Sequence, residues 1–178
     1  MKLNQWHPLP QAKPPQAVND MPTIAQIDKT KAILLEHRAR VTKYMTRYIN
    51  SLADRAANHD DSKMDVEEFE IYSQVIDEFD KAPFGSEGYE QLRVKLGLAL
   101  EHHFQVNRHH PEHFETGVNG MDLVDMLEML ADWKSASLNP HGGNGDLMKS
   151  ISILAEKYHI SPQLTQILIN TAKDFGLM

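Results

Sequence analysis

Hydrophobic positions recur along most of the chain with the period of an α-helix. Leu34, Val41, Tyr44 and Tyr48 follow one another at steps of seven, three and four residues, which places them on one helix face. The pattern predicts a first helix that begins at Thr23 and runs to about residue 50 or beyond. No stretch of the chain alternates apolar and polar residues over a useful length. The predicted class is therefore all-α.

Five further helices are predicted between breaks rich in proline and glycine. Asp65 is a suitable N-cap for the second helix, and Glu68 occupies the position of the capping-box acid. Pro111 prevents the third helix from continuing, while Ser161 and Pro162 are typical of a helix start. The five helices are expected at residues 66–80, 89–109, 121–137, 145–158 and 162–174.

The first part of the chain departs from this pattern. Residues 1–22 contain five of the nine prolines, and proline removes backbone donors and disfavours helix in the residue before it. This composition predicts an extended, Pro-rich N-terminal arm ahead of one helical domain at residues 23–178. Trp6 packs either on that domain or on a neighbouring subunit, or the arm is loose. The predicted architecture is a single-domain bundle of about six helices.

Composition and charge exclude several classes of protein. Hydrophobic residues at 41% and charged residues at 24% are ordinary for a soluble globular protein, and no apolar run is long enough for a membrane span or a secretory signal. The chain has no cysteine, which excludes disulfides, zinc ribbons and thiol catalysis and favours a cytoplasmic location. A net charge of -7 argues against broad binding to nucleic acid or to anionic membranes.

Histidine is the unusual residue of this chain, with ten copies, five of them within residues 102–113. On a continuous third helix, His103 and His110 lie two turns apart on the inward face, while His102 and His109 lie on a neighbouring strip closer to the edge. Two inward imidazoles need buried partners, and a divalent cation satisfies both. The alternative is an exposed polar helix end, where histidines are favourable near the C-terminal dipole.

Two other helices carry polar residues in candidate positions. His37 lies within the apolar stripe of the first helix, so we expect it to face the core, either bonded to a carbonyl or as a metal ligand. On the fourth helix, Asp122, Asp125, Glu128 and Asp132 form an acidic stripe, in which Asp125 and Asp132 lie almost over one another. Such a stripe is commonly a solvated face. The functional interpretation is that one end of the stripe enters a cleft.

The segment "NHDDSK", residues 58–63, follows the first helix. By itself it is a polar turn, because Asp and Ser before a helix are frequently caps. Together with inward histidines and a late aspartate, His59 and Asp60 become candidate metal ligands and Lys63 becomes a candidate phosphate contact. The Asp-Ser pair before Lys63 is interpreted as part of the turn.

The order of these segments resembles the HD superfamily of metal-dependent phosphohydrolases. "EHRARVTKYM" resembles the first helix of that family, "HDDSK" its His-Asp-x-Gly-Lys, and "MLADWKSAS" its late Ala-Asp segment. "HHPE", residues 109–112, resembles the His-His-Glu of the subgroup that cleaves cyclic dinucleotides. The segments "HDxSK", "NRHHPE" and "DW" also resemble those of a bacterial and phage family. The resemblance spans residues 30–138, and it implies an HD-like helical domain.

The resemblance implies that a metal-activated water hydrolyses a phosphate ester. It implies one or two divalent cations, with Mn, Fe, Co, Ni, Zn and Mg not distinguished. Asp60 would be shared between two cations, while Asp125 and Glu128 would act as acid or base or would orient a ligand histidine. The implied metal ligands are His37, His59, Asp60, His103, His109, His110 and Asp132. The implied phosphate contacts are Lys63, which is also a candidate catalytic residue, and Arg38, Arg40 and Arg108.

The expected substrate is a small-molecule phosphate, in particular a nucleotide. Deoxynucleoside mono- and triphosphates, cyclic nucleotides and alarmones all fit. Alarmone hydrolases have an acidic pair after the His-Asp doublet, where this chain has Lys63 and Met64, which disfavours that class. Two other classes stay open: a metal-binding HD-like interaction module without catalysis, and a structural helical protein with coincidental histidines. A homo-oligomer also stays open.

Overall fold

The computed structural model describes residues 21–79, 81–82, 86–138 and 145–178. Within these ranges the chain forms six α-helices, three short 3-10 helices and no strand, which confirms the all-α class. The predicted arm lies outside the described residues, apart from its last two positions. The α-helices are α1 (Ile24–Asn58), α2 (Val66–Phe79), α3 (Glu87–Val106), α4 (Leu123–Ser137), α5 (Leu147–Lys157) and α6 (Pro162–Asp174).

The chain divides into two compact units, and the division between Thr46 and Arg47 falls inside α1. In the first unit every described residue is exposed. His37 is therefore exposed as well, and the expectation that it faces a core is wrong. Leu34, on the same apolar stripe, is 60% exposed. Helical periodicity predicts that such residues share a face, but it does not predict whether another element covers that face.

The second unit has its main apolar core between α4, α5 and α6. The contributing side chains recur at helical spacing on each element, as the sequence pattern predicts, and all are nearly inaccessible to solvent. Ser161 caps α6 by accepting a hydrogen bond from the Leu164 N–H, as expected. The buried members are Met129, Leu130, Trp133, Leu147, Ile151, Leu154, Ile160, Leu168 and Ala172. A smaller cluster joins α2 to α3 through Val75, Ala82, Leu92 and Leu96.

The end of α3 differs from the prediction. The helix stops at Val106 rather than at residue 109. Asn107 leaves the helical conformation, and its side-chain amide donates to the His103 carbonyl at 2.9 Å, which satisfies one of the last carbonyls of the helix. His109 and His110 therefore lie beyond the helix, so the helical-face argument for their positions is wrong. The chain continues through a 3-10 turn at Pro111–His113.

Candidate metal centre

The centre begins where α1 ends, at the His59–Asp60 doublet. Asp60 has φ 59° and ψ 20°, a left-handed conformation that aspartate tolerates better than most side chains. This sharp turn brings both side chains of the doublet together, with His59 Nε2 3.6 Å from Asp60 Oδ2. On an uninterrupted helix, adjacent side chains diverge by about 100°. The left-handed residue therefore converts sequence neighbours into neighbouring ligand candidates.

Four side chains converge on one side of Asp60. One donor atom each from Asp60, His103, His109 and His110 lies within 4.8 Å of the others. The Nε2 atoms of His103 and His109 are each 3.4 Å from Asp60 Oδ1, and His103 Nε2 is 2.9 Å from His110 Nε2. Donors bound to a common cation at about 2.1 Å lie roughly 3.0–3.4 Å apart. The spacing of these atoms therefore fits one cation.

A second group lies on the other side of the same carboxylate. It consists of His59, Asp60 and Asp132, with His59 Nε2 3.8 Å from Asp132 Oδ1. The side chains of this group are partly accessible, that of Asp132 being 27% exposed. Since each oxygen of Asp60 faces a different group, this carboxylate is placed to bridge two cations, an arrangement that enzymes use to activate water.

Two buried atoms at the middle of the centre have no hydrogen-bond partner among the described residues. They are Asp60 Oδ1 and His109 Nε2, and they face each other at 3.4 Å. A buried carboxylate oxygen or imidazole nitrogen without a partner is costly. A cation between them would satisfy both atoms, so the residues of the centre fit a bound metal ion.

Two glutamates hold the imidazoles from their far sides, and Glu68 is the first of them. It is fully buried, and its oxygens lie 2.8 Å from His102 Nδ1 and 3.0 Å from His103 Nδ1. A proton on His103 Nδ1 donates to Glu68 and leaves the Nε2 lone pair pointing into the centre. The predicted capping role of Glu68 is therefore wrong, because its carboxylate points away from the helix start and toward α3.

Glu128 is the second orienting carboxylate. Its Oε1 atom lies 2.9 Å from His59 Nδ1 and 3.2 Å from His109 Nδ1. The three residues are also close enough to form a ligand group of their own. We assign Glu128 to orientation instead, because the Nδ1 contacts have hydrogen-bond length and leave both Nε2 atoms directed at Asp60.

Burial keeps three of the four imidazoles of the centre neutral. It lowers the pKa of His103 and His109, and it lowers the pKa of His110 to about 3. These three rings are therefore neutral, which is the form that binds metal. His59 differs, because the Asp132 carboxylate, 3.8 Å away, raises its pKa to about 9 despite partial burial.

The two aspartates of the centre are ionised. Burial alone would raise the pKa of Asp60, but the neighbouring Lys63 ammonium holds it below its ordinary value, with Nζ 2.5 Å from Asp60 Oδ2. Burial likewise opposes ionisation of Asp132, and the neighbouring His59 imidazole lowers the pKa of that carboxyl. Both carboxylates therefore keep the charge that a cation requires.

Ser62 contacts one of the candidate ligand histidines of the centre. It is buried, and its hydroxyl lies 3.3 Å from His103 Nδ1. Asn107 donates to that hydroxyl at 2.7 Å. Ser62 therefore does more than form part of a turn, because its hydroxyl contacts the Nδ1 atom of His103.

Asp125 lies behind the centre, between two arginines. Arg55 Nη1 lies 2.7 Å from Asp125 and 3.0 Å from Glu128. Arg108 binds Asp125 in a bidentate fashion, at 3.1 and 2.9 Å. Burial opposes the charge of Asp125, but the Asp122 backbone N–H and both guanidinium groups lower its pKa. Both guanidinium groups therefore bind this fully buried end of the acidic stripe, and Arg108, predicted to contact phosphate, is engaged there.

The structure does not bring every predicted site residue to the centre. His37, Arg38 and Arg40 belong to the first unit, where they are exposed; Arg40 pairs with Glu36 on the same helix. None of the three groups of ligand candidates in the described part of the chain includes His37.

Sequence reasoning missed Glu68 as a partner of histidine and did not consider Arg55. The sequence does contain a signal for Glu68. It lies seven residues before the apolar Val75, which places the two on the same face of α2, and both are buried. An acid on the apolar face of a helix needs a partner.

Two cavities share Asp132 as a lining residue. The first, about 260 Å³, also reaches Lys63. The second, about 430 Å³, also reaches His59 and Arg55. The candidate centre is therefore accessible to a small molecule from either of these sides. None of the helices in the described ranges has the length and apolarity needed to cross a bilayer.

Residues 26–174 match the sequence model of DUF5662, a family of unknown function. Since the match covers most of the chain, the protein belongs to that family. No curated protein and no solved structure matches significantly. The likeness to the HD superfamily therefore rests on the sequence segments alone.

Proposed function

We propose that this protein is a metal-dependent phosphohydrolase that holds divalent cations on both sides of Asp60 and acts on a small phosphate ester, with nucleotides as the first class to test. The observation that carries the proposal is the pair of buried atoms without partners, Asp60 Oδ1 and His109 Nε2. They lie among donors whose spacing fits a cation.

The donor set indicates which cations fit. Imidazole nitrogen and carboxylate oxygen suit Mn, Fe, Co, Ni and Zn, whereas Mg favours oxygen ligands. The group of Asp60 with His103, His109 and His110 is rich in nitrogen, and the group of His59, Asp60 and Asp132 is richer in oxygen. We therefore expect transition metals to bind in preference to Mg.

The charge around the centre supports an anionic substrate once cations are bound. The carboxylates of this region outnumber its basic side chains, so the centre without metal repels phosphate. Two divalent cations would reverse that balance and, when bound, would lower the pKa of a water and polarise a phosphoryl oxygen. The carboxylates are Asp60, Glu68, Asp125, Glu128 and Asp132, and the basic side chains are Arg55, Lys63, Arg108 and His59, whose pKa is raised to about 9.

The residues of the chain have separable roles in this proposal. Lys63, with 42% of its side chain exposed at the cavity wall, neutralises a phosphate oxygen. Glu68 and Glu128 fix the tautomer and direction of the ligand rings. Asp125 positions Arg55 behind Glu128 and does not contact the substrate.

The first experiment measures metal content. Chelator-treated protein is titrated with Mn²⁺, Co²⁺ and Zn²⁺, and bound metal is counted after dialysis. We expect about two cations per chain and a loss of more than about 100-fold in affinity for Asp60→Asn, because even outer residues of metal sites cost 10–100-fold. Asp61→Asn, an exposed neighbour, is the matched control and should bind as the unaltered protein does.

The second experiment measures phosphate release from a panel of nucleotides with each metal. Release by the unaltered protein and by Asp61→Asn, but not by Asp60→Asn, supports the proposal. A protein that binds metal and releases no phosphate from any member would instead be the metal-binding module without catalysis. A protein that binds none of the three metals would refute the proposal altogether.

A further inference from the structure

The cavity next to Lys63 carries chemistry that the metal centre does not explain. It lies between α2, α3, α4 and α5, and it meets the centre at Lys63 and Asp132. Away from the centre, Arg93 of α3 and Lys157 of α5 both line it. A chain with a net charge of -7 thus places three basic side chains around one small cavity, whose acidic lining residues are Glu90 and Asp132.

The cavity on the other side of Asp132 has a different lining. Its basic residues are Arg55 and His59, and both are already held by carboxylates. Arg55 lies 2.7 Å from Asp125 and 3.0 Å from Glu128, and His59 lies 2.9 Å from Glu128. Most of its other lining residues are apolar or small, such as Leu52 and Leu127. An anionic ligand is therefore better accommodated on the Lys63 side.

Arg93 and Lys157 are only weakly engaged by carboxylates. Arg93 Nη1 is 3.7 Å from Glu90 Oε2, and Lys157 Nζ is 3.5 Å from Glu112 Oε1. That Glu112 oxygen also accepts a shorter bond, 2.8 Å, from the Tyr158 hydroxyl. Charge-assisted hydrogen bonds are usually about 2.7–2.9 Å long. The side chains of Arg93 and Lys157 thus both retain capacity to bind an oxyanion.

The mutual repulsion of Arg93 and Lys157 supports an oxyanion site between them. Burial lowers the pKa of Lys157, and the positive charge of Arg93 lowers it further. Glu112 and Glu90 offset part of this repulsion, and an oxyanion bound between Arg93 and Lys157 would offset more of it. The last turn of α5 gives Lys157 a structural reason to be there, but no helix end explains Arg93.

Aromatic side chains form the wall between the two charged ends. Such rings offer flat apolar surface to a planar or ring-shaped ligand body. They are Tyr72, Phe79, Tyr89, Phe104, Trp133 and Tyr158.

We propose that this cavity binds substrates with anionic groups at both ends: a phosphate at the metal centre and a second oxyanion, either phosphate or carboxylate, at Arg93 and Lys157. The body of the ligand lies against the aromatic wall between them. This inference rests on the proposed function for the phosphate at the centre, but the second subsite is testable by binding alone.

The test uses two probes with equal numbers of phosphates. Adenosine 3′,5′-bisphosphate carries them on two separate ribose oxygens, and adenosine 5′-diphosphate carries both in one chain on the 5′ oxygen. We expect the bisphosphate to bind metal-loaded protein at least about tenfold more tightly, the size of one charge-assisted hydrogen bond. Calorimetry measures both affinities.

Variants then locate the preference. Arg93→Gln and Lys157→Gln should each reduce it, and the double variant should abolish it while leaving the affinity for the 5′-diphosphate unchanged. Lys149→Gln, on the exposed side of the same helix α5, is the matched control and should keep the preference. Equal affinities for the two probes, or an equal loss for both probes in the variants, would overturn the inference.

The two proposals can fail separately. Metal binding and phosphate release without any preference for the bisphosphate would remove the subsite and leave the proposed function standing. A preference that depends on Arg93 and Lys157 in a protein without hydrolase activity would do the reverse, and it would identify the cavity as a binding site for such ligands.

Discussion

The two sides of α4 are built on opposite physical principles. One side carries Asp125, Glu128 and Asp132 into the polar centre, and the other carries Leu130 and Trp133 into the apolar core. Burial of apolar area stabilises the core side. Burial of charge on the polar side costs nearly as much as its ion pairs return. The comparison indicates that the apolar side stabilises the fold, whereas the polar side carries the candidate metal ligands and their partners.

The largest expected effect comes from the apolar side. Ile151 is fully buried in the core, and Ile151→Ala should lower the free energy of unfolding by about 2–5 kcal/mol, because it removes buried methyl groups and leaves a cavity. Chemical denaturation measures this loss. Metal affinity, titrated below the unfolding transition, should not change. Ile167→Ala, at a half-exposed position of α6, is the control and should have a much smaller effect.

A change on the polar side should have the opposite profile. Glu128→Gln removes the acceptor charge behind His59 and His109, and it should weaken metal binding by about 10–100-fold. The free energy of unfolding of the metal-free protein should fall by less than it does in Ile151→Ala, since Arg55 keeps Asp125 as a partner at 2.7 Å. Glu156→Gln, exposed on α5, serves as the control. A large loss of stability without any loss of metal affinity would contradict the separation of the two sides.

The smallest effect is expected for a polar group outside the centre. Its removal should affect stability and leave metal affinity unchanged, as for a core residue. Ser161→Ala removes the N-cap of α6 and should cost about 1 kcal/mol of stability, with metal affinity unchanged. Ser152→Ala lies within α5, where the hydroxyl bonds to the Met148 carbonyl, and should be nearly neutral. Metal titration of both variants completes the comparison. If Ser161→Ala weakened metal binding, the cap would have to act on the centre.

The sequence predicted the apolar side of this comparison well. The helical repeat of Leu and Ile residues and the Ser161–Pro162 start were sufficient to place α6, because such signals are local. The polar side was predicted only in part. His103 and Asp132 were correctly placed on their helices, but the end of α3 depends on Asn107, whose side chain bonds to the last turn.

Two further misses have non-local causes. Glu68 fitted a capping pattern, and its real partners, His102 and His103, lie on another helix. His37 lies on a true apolar stripe, but the described residues around it are all exposed. In both cases the sequence specified the face correctly, and only the tertiary structure determined what meets that face.

The left-handed turn at Asp60 has a consequence for the energetics of ligand binding. A non-glycine residue in this conformation costs roughly 1–2 kcal/mol, and that strain is imposed when the chain folds, before any cation arrives. The His-Asp doublet is consequently preorganised, so a cation that bound there would not have to bend the backbone. The cost of the left-handed turn would then be met by folding and would not be subtracted from the free energy of binding.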